Sequence, residues 1–329
     1  MEKRTLGRTG LEVSVLGMGG LFVSRHGQDD RAEARRAVHR ALELGINYVD
    51  TAPGYADSEE VLGFALEGAP APFILSTKLG GRPQPFDARD KAGLRFSIEE
   101  SLKLLKRDRI DILFIHEPDR PGQYDWWSDP ESFHGPVEDI LADLKREGLI
   151  RFTGLGGTTA YELPLIMRTG RYDVVLTAFN YSLLWREAEI AVLPEAKRQN
   201  MGIVVGSPLQ QGALARRYDD EVRASAPWLS PPRREQYRLL YALCDDLGIA
   251  LPELGVRFVI SNPDISMTLT GSRSVAEVEA NVAAVAKGPL PANVLARIQE
   301  IADRVPFRPF CEPFGLPFGR AYHGPGYAG

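Results

Sequence analysis

Eight times along this chain a short apolar, β-rich run recurs, most often followed by a stretch with helical spacing, and that alternation limits the fold more than any other feature. The runs are residues 15–20, 46–51, 73–78, 110–116, 152–157, 174–179, 203–207 and 265–270. Helical spacing follows at 31–44, 58–66, 161–167, 187–199, 233–247 and 275–286. One more helix is expected to begin near Ser97, where Ser97 and Glu100 stand at capping-box spacing. Ala34, Val38, Ala41 and Leu42 share one face of the first helix, Gly45 stops it, and Ser58 is the expected cap of the second. Extra helices are expected at 252–260 and 291–304, and residues 4–14 alternate around a glycine turn as a β-hairpin. No Ser/Gly-rich break separates the units. The prediction is therefore one α/β domain across 1–329, a (β/α)8 TIM barrel with an amino-terminal β-hairpin and extra helices. A length of 329 residues fits one such barrel, which takes about 250 residues plus insertions. The competing architecture is an open doubly wound sheet. Against it, the first run leads into Gly17-Met-Gly-Gly20, which lacks the G-x-G-x-x-G phosphate turn.

Polar residues close three successive runs. Asp50, Lys78 and His116 end the second, third and fourth, and Tyr55 follows Asp50 across Pro53-Gly54. In a closed barrel these ends converge on the face where barrel enzymes keep their chemistry. A lysine ending an apolar run needs a carboxylate partner, and Asp50 on the neighbouring strand supplies it. The lysine's charge beside Tyr55 favours the phenolate, so the tyrosine pKa is expected to fall from about 10 toward the range of proton transfer. Tyr55 is then the general acid for a carbonyl oxygen, or the base in reverse, and His116 hydrogen-bonds that oxygen. The plainer reading is a barrel-end ion pair with a satisfied core histidine. Four polar residues at one mouth weigh against it.

The segment 117–135 carries Trp126-Trp127 and reads as a binding loop with a broad apolar surface, or as a loop that one indole anchors. From Pro306 the prolines exclude helix, and the five Phe or Tyr rings in 306–322 make 306–329 a tail expected to pack on the barrel, over its mouth or along its side. A net charge of −5 argues against nucleic acid or an anionic membrane as partner. Met1-Glu-Lys-Arg-Thr-Leu-Gly has no apolar signal core, and no apolar run is long enough to span a bilayer, so the expected location is the cytoplasm. Cys244 and Cys311, with no histidine close by in sequence, suggest neither a disulfide framework nor a zinc site; no metal is expected.

The chain resembles the aldo-keto reductases over nearly its whole length. The resemblance rests on Arg4-Thr-Leu-Gly-Arg-Thr-Gly-Leu-Glu-Val-Ser14, on Leu16-Gly-Met-Gly-Gly20 and on Asp50-Thr-Ala-x-x-Tyr-x-x-Ser-Glu59, with Lys78 and His116 at the remaining tetrad positions. It implies a nicotinamide cofactor bound in extended form without a Rossmann turn, and hydride transfer at a carbonyl or alcohol carbon. It further implies cofactor contacts at Gly19, Gly20 and Asp50, and at Ser207, Pro208, Leu209 and Gly212 after the seventh strand. Gly271, Ser272, Arg273, Glu277 and Asn281 resemble the family's phosphate and adenine segment, where a helix amino terminus near Ser274 suits an anion. Thr158-Thr159 replaces the usual Ser-Asn carboxamide pair, and Thr177 stands where glutamine is common. Arg273 suits a ribose 2′-phosphate and leans the expectation to NADP, whereas Glu277 suits the free hydroxyl of NAD. The expected substrate is a small aldehyde, ketone or sugar, lined by Tyr55, His116, Trp126, Trp127 and Phe22. Residues 178–184 are similar to the branch of aldose 1-dehydrogenases and pyridoxal dehydrogenases, so oxidation of a sugar or pyridoxal is the alternative. A non-catalytic cofactor sensor or accessory subunit, resembling the channel β-subunits of the family, is the alternative of another class. Oligomeric state is left open.

Overall fold

The computed structural model describes residues 1–24, 30–224, 226, 228–308 and 316–319. An antiparallel hairpin, β1 (Lys3–Thr5) with β2 (Glu12–Ser14), precedes eight parallel strands that close into a barrel. The barrel strands are β3 (Leu16–Gly19), β4 (Tyr48–Asp50), β5 (Ile74–Leu79), β6 (Ile110–His116), β7 (Ile150–Gly157), β8 (Val174–Ala178), β9 (Gly202–Gly206) and β10 (Met267–Thr270). Each pairs with the next in sequence, and β10 returns to β3. All eight expected runs are strands, shifted by at most two residues at their ends.

Around them run α1 (Arg31–Glu43), α2 (Ser58–Ala65), α3 (Lys91–Leu105), α4 (Pro136–Arg146), α5 (Leu163–Met167), α6 (Val192–Arg198), α7 (Asp219–Ala224), α8 (Pro231–Leu247), α9 (Leu251–Ile260), α10 (Val275–Ala286) and α11 (Ala292–Ala302). Two of these go beyond the sequence reading. Helix α4 buries Val137, Ile140, Leu141 and Leu144 at helical spacing behind Pro136 in its first turn, a signal present in the sequence. Helix α7 is short and opens on Asp219, Asp220 and Glu221, where the helix dipole favours acids. Two expected caps are corrected. Helix α3 starts at Lys91 rather than Ser97, because the Asp90 carboxylate accepts from Ala92 N at 3.0 Å; Ser97 lies buried in mid-helix beside Leu94 and Ile98. Ser58 is the first residue of α2, not its cap, and its hydroxyl donates to Gly20 O at 2.8 Å. Helix α6 is shorter than expected because Pro194 is tolerated only in a first turn.

Two cores result. The lumen is filled by Tyr48, Ile112, Phe114, Val174, Leu176, Val204, Met267 and Leu269, with Leu6 and Val13 of the hairpin segment packed in the same cluster. Glycine makes this filling possible: a Cβ on Gly154 would lie 2.4 Å from Phe114 Cδ1. A larger core joins the helices to the outer strand faces. Within the tail, Phe318 is buried against Tyr218, Trp228 and Tyr237, as an anchor on the α8 side. Phe307, by contrast, is 58% exposed rather than packed on the barrel, and the remaining tail rings and Cys311 lie outside the described residues. Among the described residues no helix is long and apolar enough to cross a membrane.

Candidate active site

Strand register brings the polar residues together. Asp50 pairs with Ser76, and Lys78 lies two residues further along β5, on the same inward face. Lys78 Nζ donates to Asp50 Oδ2 at 2.7 Å and to Thr51 O at 2.8 Å, while Ser76 Oγ donates to Asp50 Oδ1 at 2.6 Å. The ion pair is fully enclosed, with side-chain exposures of 2% and 5%, so both charges depend on these partners. Lys78 Nζ stands 4.8 Å from the centroid of the Tyr55 ring, and the His116 ring meets that ring edge-on at 5.8 Å. The structure thus gathers Asp50, Tyr55, Lys78 and His116 at one end of the barrel.

The electrostatics differ from the sequence expectation at Tyr55. Burial pushes its phenol above the ordinary value; Lys78 pulls the other way, and Asp50 and Glu117 add to the rise. The expected fall is overturned because drying the site costs the phenolate more than one ammonium returns. For Lys78 burial opposes the charge, but Asp50 and Tyr55 outweigh it and hold the ammonium above its usual range. Burial, with the Lys78 charge behind it, draws His116 down to about 3, so the imidazole is neutral at physiological pH. Its Nδ1 is buried without a hydrogen-bond partner among the described residues. A buried, unpaired ring nitrogen beside a phenol and an ammonium is an invitation to a ligand oxygen.

The model of the Aldo/keto reductase family matches residues 15–303. The chain belongs to that family. As an aldo-keto reductase it is an oxidoreductase of aldehyde and ketone carbon. It is 32% identical to L-galactose dehydrogenase of Arabidopsis thaliana, over 87% of this chain and 88% of that protein. It is 27% identical to the NADH-specific methylglyoxal reductase of Escherichia coli, over 87% and 94% of the two chains. Among solved structures it is similar to the holo form of an aldo-keto reductase from Bacillus halodurans, with a TM-score of 0.75, 28% identity and coverage of 94% and 98%.

The residues expected to hold a cofactor ring the mouth of this reductase barrel. Gly19 ends β3 close to Thr270 O, and Gly20 packs so tightly on α2 that a Cβ would meet Ser58 Oγ at 2.7 Å. Ser207 follows β9 with φ +52°, in a turn with Pro208, Leu209 and Gly212 that Gln210 pins by donating to Phe179 O and Ser182 Oγ, each at 3.0 Å. Gly271 and Ser272 follow β10, and Phe22 lies against Gly271, where a Cβ would come within 2.2 Å of its ring. Asn281 Nδ2 donates to Ser272 Oγ at 3.2 Å. Thr158 follows the last residue of β7, and Asn180 donates from the next loop to Thr158 O at 2.8 Å and toward Thr177 Oγ1 at 3.5 Å. Arg273 is already engaged: its backbone N–H and guanidinium both donate to Glu277, at 2.8 and 2.9 Å.

The tryptophans do not present the apolar surface expected of them. Trp126 is fully buried and Trp127 nearly so, because each indole N–H donates inward, to His116 O and to Pro118 O, both at 3.0 Å. Both anchor the loop. The ring of this loop that lies beside His116 is the half-buried Tyr124, 6.2 Å away and braced edge-on by Phe86 and Trp126. Tyr124, Glu117, Asp119 and Asn180 escape the sequence reading as site residues; for Glu117 the signal was its position directly after His116.

Proposed function

We propose that this chain transfers a hydride between a nicotinamide cofactor and the carbonyl or alcohol carbon of a small aldehyde, ketone or sugar, with Tyr55 as the proton donor. The observation that carries this reading is the enclosed Lys78–Asp50 pair at 2.7 Å beneath the Tyr55 ring, with the unpaired imidazole of His116 beside it. A carbonyl oxygen seated between phenol and imidazole receives the Tyr55 proton as negative charge develops on it. His116, being neutral, orients that oxygen without competing for the proton. Lys78 stabilises the phenolate left behind, and Asp50 keeps Lys78 charged and in place. With its value raised rather than lowered, Tyr55 stays a phenol at neutral pH, as an acid must be. When bound, the nicotinamide supplies or accepts the hydride.

The chain's own residues fit such a cofactor. The mouth offers Gly19 and Gly20, the pinned turn at Ser207–Gly212, and Thr158, Thr177 and Asn180 clustered beside the tetrad. Gly271 is a position that any side chain would close, and α10 presents the positive end of a helix at Ser274. Cofactor choice turns on that helix end. Arg273 carried the expectation of NADP, yet its guanidinium is paired with Glu277, and Glu33 Oε1 accepts from Val275 N at 3.0 Å in the same turn. A 2′-phosphate would meet two carboxylates there, whereas a ribose hydroxyl can donate to one. NAD is the cofactor we infer.

The likeness to L-galactose dehydrogenase favours, as a second reading, the oxidative direction on a sugar, with Tyr55 as the base. We read residues 1–329 as one barrel domain working in the cytoplasm on a small molecule; the net charge of −5 weighs against nucleic acid or an anionic membrane as the partner instead. The test follows nicotinamide absorbance with aldehydes, ketones and aldoses in both directions. Replacing Tyr55 with Phe is expected to lower kcat by about 10²–10⁴-fold, the usual contribution of a general acid, with cofactor affinity nearly unchanged. Undiminished turnover would sink the assignment, and a wild type that binds the cofactor but turns over nothing would favour a sensor.

A further inference from the structure

The turn after β9 is held in a conformation that its own sequence disfavours. Ser207, Gln210 and Gln211 have φ of +52°, +51° and +51°, and Gly212 has +108°. Three of these four are not glycine, and such residues stay in the left-handed region only where surrounding contacts hold them there. One brace is the Gln210 side-chain amide, which donates to Phe179 O and Ser182 Oγ. The other is Tyr218, whose hydroxyl donates to Gly212 O at 3.1 Å. Tyr218 is fixed in turn: its N–H donates to the Tyr241 hydroxyl on α8 at 3.0 Å, and its ring stacks on Phe318 with centroids 4.6 Å apart and planes at 24°. Phe318 comes from a segment remote in sequence. Trp228 and Tyr237 meet its ring edge-on, both at 4.8 Å, and bury it. Beside it Leu316 is buried as well, and Gly319 N donates to the Glu221 carboxylate on α7, 2.9 and 3.1 Å from its two oxygens.

We infer that Phe318 is a latch on the cofactor turn: by stacking on Tyr218 it holds that hydroxyl on Gly212 and so presets the Ser207–Gly212 backbone for the nicotinamide cofactor. The inference rests on the oxidoreductase reading above, which puts cofactor contacts in this turn. A phenol aims its hydroxyl only when its ring is clamped, and Phe318 is part of that clamp. A turn set before binding spares the ligand the cost of ordering it. Seating of residues 316–319 and binding of the cofactor favour the same backbone, so each strengthens the other by the same factor. Phe318 and Tyr218 are positioning residues, acting through Gly212. A plain packing anchor would instead lower Tm without loosening the turn.

Hydrogen exchange of the 207–214 amides, followed by mass spectrometry in cofactor-free protein, reads the turn directly; Phe318→Ala and Tyr218→Phe are both expected to speed it. Fluorescence titration with NADH and NADPH is expected to show Kd about 3–10-fold higher in Tyr218→Phe, the fold-change for one neutral hydrogen bond, and at least as much higher in Phe318→Ala. In steady state the loss falls on the cofactor KM rather than on kcat. Phe318→Ala added to Tyr218→Phe is expected to change Kd little further, because the route is already cut. Tyr218→Phe keeps the stacked ring and decides alone if Phe318→Ala does not fold. Unchanged exchange or unchanged Kd in Tyr218→Phe, or additive losses in the double variant, overturn the inference. If wild type binds neither cofactor, the oxidoreductase reading fails instead, and exchange alone judges the latch: faster in both variants sustains it, and equal rates overturn it.

Discussion

At the level of single residues the site is governed by desolvation. Asp50 and Lys78 survive in a dry lumen only because each completes the other, and the same dryness raises Tyr55 and lowers His116. His116 gives a measurable pH signature. Its pKa is about 3 in the folded chain and about 6.5 unfolded, so between these values the unfolded chain binds a proton that the folded one refuses. Stability from this residue is complete above about pH 6.5 and declines as pH falls toward 3. Urea denaturation at pH 7.5 and pH 4.5 is therefore expected to show wild type losing about 2–3 kcal/mol more than His116→Asn across that interval. Equal losses would mean that the imidazole titrates freely in the folded protein.

At the level of elements, the loop after β6 and the helix α3 show how tertiary contacts override local pattern. Ser97 and Glu100 satisfy a capping-box spacing, yet Ser97 is drawn into the interface because α3 needs a continuous buried face of Leu94, Ile98, Ser101 and Leu105. Helix α2 approaches α3 so closely that a Cβ on Gly63 would come within 1.9 Å of Leu104 O. Asp90 does the capping. Replacing Asp90 with Ala is expected to cost about 1 kcal/mol in denaturant unfolding, with the m-value unchanged. A neutral result would return the helix start to Ser97. In the loop, both indoles turn inward because an unsatisfied N–H is costly to bury and two carbonyls stand within reach, leaving Tyr124 to face the site.

For the whole molecule, closure of the barrel is the decisive event. It draws three strand ends, distant in sequence, to one mouth and sets the turn after β9 and the start of α10 around them. A ligand spanning those segments ties together parts of the chain that only the fold unites, so it stabilises the whole by mass action. At a free concentration one hundred times its Kd the gain is about 2.7 kcal/mol, seen as a rise in Tm. With Glu33 and Glu277 at the α10 terminus, NAD is expected to raise Tm more than NADP at equal concentration, and Arg273→Ala is expected to leave that order intact. A larger shift with NADP would restore the phosphate role of Arg273.

Sequence alone determined the eight-fold alternation of strand and helix, and with it the barrel, because hydrophobic periodicity reports directly which faces must be buried. It also singled out Asp50, Lys78 and His116, with Tyr55 on the loop after Asp50, as candidates, since a polar residue ending an apolar strand is visible without coordinates. Other features belonged to the tertiary structure. The direction of the Tyr55 shift depended on the balance between burial and one charge, a balance that no spacing encodes. Whether Trp126 faced substrate or core, and whether Arg273 was free or paired, depended on which atoms lay within about 3 Å once the barrel closed. Pattern decides what is buried; only contact decides what a buried group is bound to.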